Sequence, residues 1–175
     1  VVMHDDVNIT SEDWLGWLVG YSQDPMVGVV GCKMLKQDRY IENFGIAINQ
    51  NTLVEPMFRG LTTTDPGTMG RAVLTQNVTA LPSSLMMFKK EVFNLVGGFD
   101  ENFYAFHFDI DFCLRVRDTG LVNVAIPYVT PIHINTNMRL KPYGKDASKY
   151  AAIDENVFKT KHINSLNSED PYYNT

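Results

Sequence analysis

The stretch MVGVVGCKML, residues 26–35, constrains the fold more than any other. It is rich in β-branched valine and apolar in nearly every position, with no alternation of apolar and polar residues. A strand of that kind needs cover on both faces, as a strand inside an α/β sheet has. Asp24-Pro25 stops whatever precedes it.

The flanking segments supply the cover. Trp14, Leu15, Leu18 and Val19 recur at helical spacing, with Thr10 or Ser11 as the expected N-cap and Glu12 and Asp13 in the first turn. DIDFCLRVRDTG (109–120) has the pattern of an amphipathic helix with Gly120 at the C′ position. Lys90 to Val96 predicts a short helix ended by Gly97-Gly98, and Asp146 to Leu166 a helical tail. Strands are expected at Val1 to His4, at YIENFGIAI (40–48, more exposed), at 78–90 with a break at Pro82, and as two short pieces in 122–134. Residues 49–72 lack periodicity and predict a long loop. Strands alternating with helices predict an α/β domain with a mostly parallel sheet flanked by helices.

At 175 residues the chain can bury a real core, and its charged and apolar fractions exclude a disordered segment. The formal net charge of −5 leaves no basic footprint, so no nucleic acid is expected as a partner. Two cysteines, Cys32 and Cys113, sit in apolar stretches and predict buried thiols in a reducing compartment, not a disulfide. No apolar run approaches the ~20 residues of a membrane span.

Chemistry concentrates in the acidic clusters Asp5-Asp6, Asp100-Glu101 and Asp109 with Asp111, together with the lone imidazole of His133. Taken singly, these read as a solvated turn, helix N-terminal charges and a hydrogen-bonded histidine. Taken together, carboxylates and an imidazole at strand ends could hold a divalent cation such as Mg²⁺ or Mn²⁺.

The order HDDV, VGVVGCKML, VTALPSSLMMFKKEVFNLVGGFDENF and DIDFCLRVRDTGLVNVAIPYVTPIHI resembles the second half of a family 2 glycosyltransferase. The resemblance runs from Val2 to about His133, and DPYYN near the C-terminus resembles the ending of several bacterial members. It implies a partial GT-A fold: residues 1–140 the metal and acceptor side, residues 141–175 a helical C-terminal extension, and the nucleotide-binding N-terminal half absent. Carried over, Asp6 takes the metal-binding position of a DxD-type motif, where His4 fills the first acidic place. His133 completes the metal site, and Asp5 and His4 lie toward the donor. Asp109 is the catalytic base, preceded by Phe108 where the family has Glu. Gly98, Phe99, Asp100, Glu101 and Asp111 fall on the acceptor side.

The implied activity is inverting, Mn²⁺- or Mg²⁺-dependent sugar transfer in surface polysaccharide synthesis. The donor would be a nucleotide sugar, and the acceptor a hydroxyl of a saccharide or lipid-linked acceptor. The implied location is the cytoplasm, at the inner face of the membrane, with peripheral membrane association through the parent protein. The competing expectation is a glycosyltransferase-like module that binds sugar or a partner without catalysis.

Overall fold

The computed structural model describes residues 1–134 and 144–173. The chain is mixed α/β. Its main sheet has five strands in the order β1 (Val2–Met3), β9 (Leu85–Phe88), β3 (Val27–Cys32), β10 (Val122–Ile126) and β8 (Gln76–Val78). A second sheet runs β2 (Val7–Asn8), β11 (Ile132–His133), β4 (Met34–Lys36), β5 (Ile41–Asn43), and β6 (Ile46–Asn49) with β7 (Leu53–Pro56) forms a hairpin.

The sheets are not mostly parallel. Among the described residues, parallel pairing is confined to β3 with β10 and β4 with β11, and every other pair is antiparallel. The reason lies in the connections. Short reversals join β4 to β5 and β6 to β7, and these can make only antiparallel neighbours. The parallel partners are separated by most of the chain.

β3 is buried at every position, as its continuous apolar run requires. Helix α3 (Phe108–Asp118) lies against it so closely that a Cβ on Gly28 would sit 2.2 Å from Val116 Cγ1. The other close approach is at Gly31, where a Cβ would meet Leu81 Cδ2 at 2.4 Å. Helix α1 (Trp14–Ser22) packs on β3 as well, and its exposed Trp17 stacks on Tyr128 with ring centroids 4.5 Å apart. Thr10 and Ser11 do not cap it. The N-cap is Asp13, without a side-chain hydrogen bond, and Thr10 Oγ1 instead donates to the carbonyl of Thr130 at 3.0 Å.

Two further expectations change. YIENFGIAI is not the more exposed strand. It divides at Phe44-Gly45 into β5 and β6, and Ile41, Phe44, Ile46, Ala47 and Ile48 all lie in the core. Residues 49–72 are not a loop throughout, because β7 and a 3₁₀ segment (Thr68–Val73) occupy much of them. Asn49 Oδ1 makes the β6–β7 turn by accepting from the N–H groups of Asn51 and Thr52, both at 2.8 Å.

Helix α2 (Lys90–Leu95) ends at Gly97 and Gly98, both at positive φ. Helix α4 (Ala147–Lys161) and the short α5 (Ile163–Leu166) return to the main core, where Phe158 and Leu166 are buried. Among the described residues no helix is long and apolar enough to cross a membrane.

Candidate functional site

The end of β1, the start of β2 and β11 meet in space. His4 and Asp6 flank the turn between the first two strands, and β11 pairs His133 with Val7. The N–H of Ile134 donates to the carbonyl of Asp6 at 2.8 Å, which fixes the two segments to each other. One ligand atom from each of His4, Asp6 and His133 lies within 4.8 Å of the others, so Asp6 and His133, 127 positions apart, close into one cluster with His4.

His133 is held at both nitrogens. Nε2 is 3.1 Å from Asp6 Oδ1 and Nδ1 is 2.9 Å from Glu42 Oε2. The hydrogen bond to Glu42 raises its pKa; partial burial opposes the rise, and the charges of Glu42 and Asp6 add to it. Glu42 therefore orients the imidazole from behind while Asp6 faces it from the front, the arrangement in which a carboxylate supports a ligating histidine.

A hydrogen-bonded path leads from this cluster to Asp109. His4 Nε2 is 3.1 Å from Ser83 Oγ. Ser83 in turn donates twice to Asp109 Oδ2, from its backbone N–H at 2.7 Å and its hydroxyl at 2.9 Å. Asp109 Oδ1 accepts from the N–H of Ile110 at 3.0 Å, in the first turn of α3. Asp109 is 2% exposed, so its carboxylate faces the cluster through Ser83 and not through open solvent.

The remaining residues singled out in the sequence fall elsewhere. Asp5 is exposed and outside the cluster. The carbonyl of Gly98 accepts from Arg115 Nη2 at 2.7 Å, and Phe99 packs edge-on against Phe88, Phe93, Phe108 and Phe112. Asp111 is fully buried beneath α4, where Arg115, Lys161 and His162 reach it at 2.7–2.8 Å. Asp100 pairs with Lys161 at 2.6 Å, and Glu101 is exposed. Glu42 and Ser83 are the residues that sequence reading passed over. Each is a common residue type in an unremarked strand or turn, and only the long-range fold brings them to His133 and Asp109.

The donor set, one carboxylate and two imidazoles, suits a borderline divalent ion, and Mn²⁺ better than the strictly oxygen-seeking Mg²⁺.

No protein-family model matches the sequence. The chain is 33% identical over 133 residues to an uncharacterized protein, y4gI, of Sinorhizobium fredii (strain NBRC 101917 / NGR234), a match covering 75% of this chain and 15% of that protein. It is 30% identical over 132 residues to the O-antigen biosynthesis protein RfbC of Myxococcus xanthus, covering 75% of this chain and 10% of that protein. The chain thus spans only 10–15% of the length of these relatives.

Proposed function

We propose that this chain is the metal and acceptor side of a GT-A glycosyltransferase domain, acting in polysaccharide synthesis by inverting transfer of a sugar from a nucleotide-sugar donor to an acceptor hydroxyl. The observation that carries the reading is the convergence of His4, Asp6 and His133 on one point, linked through Ser83 to Asp109. The similarity to a protein named for O-antigen biosynthesis supports the polysaccharide context. The domain division at about residue 140, which lies outside the described residues, belongs to the same proposal, as does a cytoplasmic site at the inner face of a membrane.

Asp6, His133 and His4 would hold the cation, and Glu42 sets the tautomer and orientation of His133. A bound Mn²⁺ supplies Lewis acidity and a template for the diphosphate leaving group. Asp109 takes the proton of the attacking acceptor hydroxyl, and Ser83 keeps its Oδ2 turned toward the cluster. Attack opposite the departing diphosphate inverts the anomeric centre.

One observation favours a second reading, a sugar-binding module without catalysis: Asp109 is almost fully buried, and hydrogen bonds from Ser83 and Ile110 already engage both its oxygens. Release of nucleoside diphosphate from nucleotide sugars, in the longest natural protein carrying this sequence, separates the two. Mn²⁺-dependent release that falls at least a hundredfold in Asp109→Asn and Asp6→Ala is the expected result, about the share a positioned general base supplies. Release unchanged in Asp109→Asn removes the base assignment, and donor binding without any release establishes the binding module.

A further inference from the structure

The seam between residues 100–104 and helix α4 is an open trough of about 540 Å³, within the range of small-ligand clefts. We propose that it binds a neutral saccharide, and that Tyr104 is its platform; as an acceptor subsite the proposal rests on the sugar-transfer reading above.

Tyr104 is 52% exposed and lies beside Tyr150, ring centroids 4.6 Å apart. A half-exposed aromatic face on a rigid backbone suits the apolar face of a pyranose ring. The backbone there is rigid because fully buried Asp154, on α4, accepts from three successive N–H groups, those of Tyr104, Ala105 and Phe106, each at 2.8 Å. Along the opposite wall stand Asn156 and Thr160, one helical turn apart on α4. Both are exposed and their side chains make no hydrogen bond among the described residues, so an amide and a hydroxyl are available for sugar hydroxyls.

Charge selects the class of ligand. The cation in the trough, Lys161, pairs with Asp100 at 2.6 Å and Asp111 at 2.7 Å. Asn102 also donates to Asp100 Oδ1, from its N–H at 3.0 Å and its side-chain amide at 2.7 Å. The trough therefore offers no uncompensated positive charge to a phosphate or nucleotide, and its groups suit neutral hydroxyls. The same loop runs on through His107 into the first turn of α3, which carries Asp109.

The test is titration of the ¹⁵N-labelled chain, without metal or nucleotide, with maltotriose, cellotriose, mannotriose and N,N′,N″-triacetylchitotriose. At least one should cause saturable shifts centred on the amides of Tyr104, Asn156 and Thr160. Tyr104→Ala should weaken that binding about tenfold, as loss of a central aromatic anchor does, while Tyr104→Phe and His133→Ala retain it. Absence of saturable shifts with all four sugars, or unchanged affinity in a folded Tyr104→Ala, overturns the proposal. Failure of the transfer reading registers separately, as absence of nucleoside diphosphate release in the parent protein whatever the trough binds.

Discussion

His133 lies between two carboxylates contributed by distant parts of the chain, and Glu42 is the partner that fixes its ring. Outer carboxylates of this kind commonly contribute ten- to a hundredfold to metal affinity. Glu42→Gln is therefore expected to weaken Mn²⁺ binding by about that factor without unfolding the chain, a result that isothermal titration measures. Asp111 presents the opposite balance. Burial disfavours its ionised form, but hydrogen bonds from His162, Lys161 and Arg115 together outweigh burial and hold its pKa below the usual carboxylate range. Asp100, bonded to Lys161 and the Asn102 N–H, is pushed down to about 2. Carboxyls depressed in the folded state bind fewer protons there than in the unfolded chain. Their stabilisation is thus present above about pH 4 and is lost as pH falls toward 2. Urea midpoints should drop across that window, and Asp111→Asn should be less stable at neutral pH with a shallower drop.

Among the elements, α4 does more than extend the chain. Asp154 anchors the 104–106 backbone, Phe158 packs against the ring of His107 at 5.0 Å, and Lys161 and His162 reach Asp111 on α3. Asp154→Ala leaves three backbone donors without their acceptor, and a loss of about 3 kcal/mol or more is expected in chemical denaturation. Helix α3 supplies the core ring of Phe112, fully buried among Phe88, Phe93 and Phe99, and Phe112→Ala is expected to cost about 3–5 kcal/mol. The helices were legible in the sequence because helical spacing and Gly97, Gly98 and Gly120 mark them locally. Strand direction was not legible, since the partners of β3 and β4 are decided by pairing across most of the chain. The β6–β7 hairpin was hidden for another reason: its turn is made by the side chain of Asn49 where no glycine or proline signals it.

At the scale of the whole molecule, the candidate site is an assembly of residues 4, 6, 42, 83, 109 and 133, brought together by the two sheets and α3. Asp6, His133 and Asp109 stand out in the sequence as ionisable residues at element ends. His4 is marked in the sequence by the DxD-type motif but joins Asp6 and His133 only when the strands pair, and Glu42 and Ser83 carry no local mark at all. The two thiols confirm how tightly the core closes: Cys32 and Cys113 are buried and unpaired, and desolvation pushes both thiols far up. Neither should react with a thiol reagent until the chain unfolds.

The central claim is that His4, Asp6 and His133 form one cation site. Titration of the chain with Mn²⁺, followed by the loss of the free-ion electron paramagnetic resonance signal, tests it most directly. A single saturable site is predicted, abolished in Asp6→Ala and His133→Ala and weakened in His4→Ala. Uptake that never saturates, or that survives in both Asp6→Ala and His133→Ala, would contradict it.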